Sequence, residues 1–294
     1  MKASMHPLRS SAWRCAVIGV AASMSAMGAH ASEPDASDAH LPLWELGVGA
    51  GAVVAPAYLG SKVTRSYVSP WPYVVYRGDR LHANRDGVGL GVLNEGRLKL
   101  DLSLSGALPV SSNGTAREGM RNLPVVIEVG PVLRYRLIDE PGHRWTLNFP
   151  VRYGAGIKRG DLEQTGWIAD PTLRGVEGIT LFGQRFDWGM DASIKFQDKH
   201  FNDYYYRVLP SEATAQRAAY SSQGGYSGVT FNTGLLARRD QWVFGGFVGV
   251  ANIAGARFEN SPLVQQKTNF FGGLAVFWVF DKSDETATYT ASAR

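Results

Sequence analysis

From residue 44 onward, apolar and polar side chains alternate one by one along much of the chain. In 97–105, Leu98, Leu100, Leu102 and Leu104 share one face, while Arg97, Lys99, Asp101, Ser103 and Ser105 share the other. In 126–137, Ile127, Val129, Leu133, Tyr135 and Leu137 oppose Glu128, Arg134 and Arg136. In 144–153, Trp145, Leu147, Phe149, Val151 and Tyr153 oppose Arg144, Thr146, Asn148 and Arg152. In 185–196, Phe186, Trp188, Met190, Ile194 and Phe196 oppose Arg185, Asp187, Asp191, Ser193 and Lys195. Side chains of an extended strand point alternately to opposite faces, so a period of two predicts strands with one apolar face.

Length separates a soluble sheet from a membrane one. These segments alternate for about 10–12 residues, whereas a soluble strand runs about 5–6 and a membrane-spanning strand about 9–11. Trp44, Trp145, Tyr153 and Trp242 stand near segment ends, where interfacial girdles fall. Strands are expected near 44–54, 66–77, 80–85, 87–93, 97–108, 125–138, 143–157, 165–180, 184–198, 223–239, 241–256 and 267–280. The count is twelve, with a range of about 10–14 for a single-chain barrel of this size. The short pair 80–93, the Gly/Pro-interrupted 165–180 and 241–256, where neither face is clearly polar, are the weakest strands. Turns at Gly78-Asp79, Asn94-Glu95-Gly96, Asp139–Gly142, Phe182-Gly183 and Arg239-Asp240 fall on one side. The longer segments 55–65, 109–124, 158–164, 199–222 and 257–266 fall on the other. Short periplasmic turns opposite long external loops predict a transmembrane antiparallel outer-membrane β-barrel, all-β in class.

The N-terminus is an export address. Lys2, Arg9 and Arg14 precede the apolar or small run Cys15–Gly28, and Ala29-His30-Ala31 gives a small-x-small cleavage pattern between Ala31 and Ser32. Fourteen residues are too few for a spanning helix, which needs about 20. The chain therefore divides into a cleaved signal peptide (1–31), a polar periplasmic lead-in (32–42), the barrel (43–280) and a polar tail (281–294). Composition adds little until this cut is made. The formal charge of +4 drops to +1 once Lys2, Arg9 and Arg14 leave, with 27 basic against 26 acidic residues. Nucleic-acid binding needs a clustered positive face and is not expected. The one cysteine, Cys15, leaves with the signal peptide, so no disulfide is available.

Candidate chemistry is sparse. Of the mature histidines His40, His82, His143 and His200, no two stand at metal-ligand spacing, so neither a metal nor a cofactor is expected. His200 shares the largest external loop with Ser211, Ser221 and Ser222, but no spacing marks a hydrolase, and the chain is expected not to be an enzyme. Two sets of charges stand out. Lys99, Asp101, Glu128, Arg134, Arg152, Asp191 and Lys195 belong to the lumen face, either biasing a pore toward anions or pairing with one another to fill it. Arg80, Arg97, Arg144, Arg185 and Arg239 flank the short turns and form a candidate periplasmic docking rim.

The stretches GVGAGAVVAPAYLGS, SPWPYVVYRGDRLHA, AREGMRNLPVVIEVGP and YYYRVLPSEATAQRAAYSSQGGYSG, with the closing aromatic strand, resemble the MipA/OmpV family over roughly 44–280. The resemblance implies an outer-membrane barrel in contact with lipid. It also implies a scaffolding role that binds a murein lytic transglycosylase and a penicillin-binding protein. A small-solute channel and an adhesin acting through the external loops are the competing roles. Mass spectrometry of the mature protein is expected to find Ser32 as the first residue, and a chain retaining Met1 would overturn the export reading.

Overall fold

The computed structural model describes residues 42–78, 81–84, 87–158 and 161–286, with the backbone alone for 81–84, 87–90 and 92–93. Ala31, Ser32, Arg80, and the tail beyond 286 lie outside the described residues. The strands are β1 (Trp44–Pro56), β2 (Thr64–Arg77), β3 (Leu81–Asn84), β4 (Gly87–Glu95), β5 (Leu98–Ala107), β6 (Val126–Glu140) and β7 (His143–Lys158). They continue as β8 (Asp161–Ala169), β9 (Thr172–Leu181), β10 (Gln184–Gln197), β11 (Gly225–Arg239), β12 (Trp242–Asn252) and β13 (Thr268–Lys282). All pairings are antiparallel, and β1 joins β13, so the sheet closes on itself. No helix among the described residues is long and apolar enough to cross a membrane.

β8 and β9 are two halves of one stave. β7 pairs with β8 from Lys158↔Asp161 to Val151↔Ala169, then with β9 from Asn148↔Thr172 to His143↔Glu177. The break falls at Asp170-Pro171, where proline has no N–H to give the ladder. Thirteen strands therefore build twelve staves, the number expected from the alternation. One boundary is corrected. The segment 158–164, expected as an external loop, is largely strand, with β7 and β8 paired as far as Lys158↔Asp161. β13 also runs two residues past Phe280, to Lys282.

The alternation sorts lipid from lumen. Leu98, Leu102 and Leu104 of β5, Leu133 of β6, and Phe270, Leu274 and Trp278 of β13 are exposed on the outer face, while Asp101 is fully buried on the inner one. The inward glycines of β1 let its neighbour come close: a Cβ on Gly49 would lie 2.1 Å from the Val276 carbonyl oxygen. The β3–β4 hairpin is the short stave pair, of 4 and 9 residues.

The two faces predict opposite responses to charge. Leu102→Arg is expected to destabilise the barrel by about 2–4 kcal/mol, the cost of a basic side chain near the bilayer midplane. Ser103→Arg, half-buried on the lumen face, is expected to cost much less. Refolding titrations in lipid vesicles compare the two, and equal penalties would mean that the alternation does not sort lipid from lumen.

Candidate functional site

Inside the barrel, the charges singled out in the sequence meet. Arg134 of β6 pairs with Asp101 of β5 at 3.0 Å, and Lys99 lies 3.4 Å from the same carboxylate. Arg152 of β7 bridges Glu128 at 3.3 Å and Asp170 at 2.6 Å. Asp191 of β10 is held by Arg174 of β9 at 2.5 Å. Lys195 acts electrostatically on Glu128 from three staves away. Five lumen partners escaped the sequence reading: Asp170 and Arg174 above, and a trio in which Glu45 of β1 binds Arg77 of β2 at 2.9 Å and Arg238 of β11 at 2.8 Å. β11 and β1 are three staves apart around the ring, so side chains span the lumen near its periplasmic end. A carboxylate withdrawn from water is tolerable only when paired in this way.

The periplasmic rim is mixed in charge. Arg97, Arg185 and Arg239 are exposed and Arg144 half-buried, each at or beside a different short turn. Arg136 donates to Asp139 at 3.0 Å and to the Gly96 carbonyl, which ties two neighbouring turns together. Glu177 accepts from the Trp145 indole at 2.7 Å and lies 2.6 Å from His143 Nδ1.

The external end holds what the alternation could not show. Segments 57–63, 108–125, 198–224 and 253–267 fold together over the mouth around an apolar core that includes Tyr58, Leu123, Tyr206, Phe258 and Leu263. Tyr206 stacks on Phe258 with ring centroids 3.7 Å apart, and its hydroxyl donates to the Leu59 carbonyl at 2.9 Å. Tyr58 donates to the Leu263 carbonyl at 2.9 Å. The 198–224 segment opens with helix α1 (Lys199–Tyr206), capped by the Asp198 carboxylate accepting from Phe201 N–H at 2.7 Å. Arg117, only 2% exposed, donates to the Tyr205 carbonyl at 2.5 Å and so pins α1 to the 108–125 segment.

Beside this core lies a cavity of about 600 Å³ lined by Arg117, Arg121, Glu163, His200, Tyr204 and Arg207 among others. Arg121 bonds Glu163 at 2.6 Å and lies over the Tyr204 ring. Burial tends to raise the Asp203 pKa, but bonds from Lys199 and Ser222 outweigh it and hold the carboxyl below the usual range. Ser221 and Ser222 both donate to Asp203, and among the described residues His200 bonds to neither nor to Ser211. The structure therefore does not assemble a serine–histidine pair there. Nor do the described residues contain a cluster of metal-ligating side chains.

A family model described as "MltA-interacting protein MipA" matches residues 48–280. The outer membrane protein Omp26La of Vibrio anguillarum is 32% identical over 92 residues, 30% of this chain and 34% of that protein. The outer membrane protein OmpV of Vibrio cholerae serotype O1 is 30% identical over 92 residues, again 30% and 34%. The chain thus spans about a third of the length of these curated relatives. Among solved structures, a NanC porin shares 7% identity, with 80% of this chain and 98% of that chain covered at a TM-score of 0.36. That likeness is too slight to argue from.

The external core is expected to open in alkali. Burial pushes the Tyr58 phenol up to about 12, against the pull of Arg117, and burial with the nearby Glu163 pushes Tyr204 up to about 12. A raised phenol pKa adds stability that is intact below the free tyrosine value near 10 and is lost as pH climbs toward 12. Protease cleavage within 198–224 should rise together with tyrosinate absorbance over that interval. Cleavage already complete at neutral pH would show that the loops are not packed.

Proposed function

The chain belongs to the MltA-interacting protein MipA family of outer-membrane proteins, and from that premise we propose that it is a closed structural barrel whose periplasmic side docks murein-remodelling enzymes. The first partner is the MltA that the family's description names, taken here as a murein lytic transglycosylase, and a penicillin-binding protein is the second. In this reading the barrel performs no reaction itself. Its bound enzymes do.

The observation that carries the reading is the β9–β10 hairpin. β9 pairs with β7 only as far as Glu177, and β10 pairs with β11 only from Asp187 onward. Beyond those points the two strands pair only with each other, from Phe186↔Ile179 to Gln184↔Leu181. Three residue pairs therefore stand clear of the ring, roughly 7–10 Å along the strands. Phe182 is at the tip, fully exposed, with φ 54° beside Gly183 at φ 76°. Two consecutive positive φ values make the tight turn that fits a twisted hairpin, and Asn-Gly is its preferred pair. A bulky residue in the left-handed region costs about 1–2 kcal/mol. An aromatic side chain held there and left in water is poorly explained by folding and well explained by recognition, since buried aromatics anchor interfaces. Arg185 stands on the same hairpin, next to the tip. With Arg80, Arg97, Arg144 and Arg239 it would steer and orient an approaching partner.

The external mouth favours this role over a diffusion channel. A pore needs an open, wet path, whereas here the loops share an apolar core and the lumen carboxylates are paired with cations. The refolded protein in a planar bilayer is therefore expected to show no steady conductance. Sustained ion-selective steps would sink the closed-barrel half of the proposal.

Phe182→Asn separates docking from folding. The substitution should stabilise the turn by about 1 kcal/mol, because Asn tolerates the left-handed region. It should also weaken capture of purified lytic transglycosylase. Replacing Arg97, Arg144, Arg185 and Arg239 by Gln should lower capture further at low salt while the barrel still folds. Undiminished capture by both variants would move the docking surface away from this rim.

A further inference from the structure

Helix α1 sorts its side chains between two environments. Asn202 and Tyr206, one turn apart, are buried, Asn202 donating to the Gln223 carbonyl at 2.7 Å and Tyr206 stacking in the external core. His200, Asp203, Tyr204 and Arg207 recur at i, i+3, i+4 and i+7, so they share the opposite face. All four line the cavity of about 600 Å³. The 108–125 segment adds Arg117, Met120 and Arg121 to its wall, and β8 adds Glu163.

Four fixed cations and four carboxylates line this space, so the count alone gives it no sign. What decides its character is which of them the fold has already engaged. Glu163 holds Arg121 at 2.6 Å, and Asp203 holds Lys199 at 2.5 Å together with the Ser222 N–H at 2.7 Å. Asp198 accepts from the Phe201 N–H at 2.7 Å, and Glu212 accepts from the Leu209 N–H at 3.0 Å. Each carboxylate has a donor. The cations are not all matched in return.

Arg117 is the clearest case. Its side chain is almost wholly buried, and its guanidinium donates to two carbonyls, of Tyr205 at 2.5 Å and of Arg121 at 3.4 Å. Among the described residues no carboxylate pairs with it and its Nε–H has no acceptor. Burial pulls the Arg117 pKa down, while Tyr58 and Glu212 resist from farther off and Arg121 adds to the pull. A buried charge without a counter-charge is costly, and an anion in the adjoining space lowers that cost. Arg207 and His200 are exposed on the same cavity, and among the described residues neither makes a side-chain hydrogen bond or an ion pair. Donors are in surplus here.

The rest of the lining describes the ligand's body. A cavity of this volume falls within the range of small-molecule sites, about 300–1,000 Å³, so the anion is carried on something larger. Met120 and Leu209 are the aliphatic side chains of the lining, which suits hydrocarbon poorly. A carboxylate has about four lone-pair sites, and Glu163 and Glu212 each spend few of them, so both can accept from hydroxyls. β8 sets the height. Leu162, 72% exposed, and Trp167, 51% exposed, flank Glu163 on the outward face, as at the edge of a lipid belt where headgroups begin.

We propose that this cavity is a binding site for a phosphorylated saccharide, whose phosphate compensates Arg117 and takes hydrogen bonds from Arg207 and His200. A phosphate monoester brings close to two negative charges and three acceptor oxygens, which matches the unengaged donors better than a single carboxylate does. A soluble sugar phosphate and the phosphorylated head of an outer-leaflet glycolipid share this chemistry. The site is at the opposite end of the barrel from the periplasmic rim and does not depend on docking there.

The full barrel, refolded in detergent micelles, is titrated calorimetrically with glucose 1-phosphate, with glucose, and with lipopolysaccharide in mixed micelles. A phosphorylated probe is expected to bind, and glucose to bind at least about tenfold more weakly for want of charge-assisted hydrogen bonds. Arg207→Gln and His200→Gln are each expected to lower the affinity about tenfold, the loss of one such bond. Lys62→Gln removes an exposed cation from the neighbouring 57–63 segment, outside the cavity, and is expected to change affinity less than about twofold. Arg117→Gln should abolish binding, and the two exposed variants carry the test if its loops unfold. Arg207-dependent binding of glucose 1-phosphate assigns the site to a soluble ligand, and the same dependence for lipopolysaccharide alone assigns it to the glycolipid. If neither probe binds, if glucose binds as tightly, or if Lys62→Gln costs as much as Arg207→Gln, the site is overturned.

Discussion

Hydrocarbon offers a backbone no hydrogen-bond partner, and the rest of the molecule is arranged around that fact. Each of the twelve staves has to find neighbours, so the sheet closes, and β1 ends its search on β13. Closure then sets the alternation, because every strand has lipid on one side and lumen on the other. It also dictates how the lumen is filled. Carboxylates such as Asp101 and Glu128 point into a confined space with little water, and each is matched by a cation on a neighbouring stave.

The two ends of the barrel answer to water instead, and they diverge. At the periplasmic end the turns are short, so charge pairs across adjacent turns hold the rim flat, with one hairpin standing out from it. At the external end the connections are long enough to bury side chains of their own. Tyr58, Tyr206, Phe258 and Leu263 make a small core from four segments far apart in sequence. Arg117 fastens that core by donating to the Tyr205 carbonyl rather than to a carboxylate. A buried guanidinium spent on main-chain acceptors is a device for fixing loops in place, which is why the mouth is a lid built from loops and not a set of loose arms.

The wall was legible in the sequence because its determinant is local. A period of two in RLKLDLSLS needs no knowledge of the neighbouring strand, and the short turns fixed the hand of each stave. The pairing at 158–164 was missed because that stretch is polar and carries no alternation. The lumen partners of Glu45 were hidden for another reason: Arg238 is three staves away, and no local pattern reports which residues a closing ring brings together. The external core is non-local in the same sense. Its one trace in the sequence was the aromatic run Tyr204-Tyr205-Tyr206, placed in a segment too long to be a plain connection. Phe182 was read correctly as part of a turn. Only the structure shows that the hairpin projects and that its aromatic tip touches nothing.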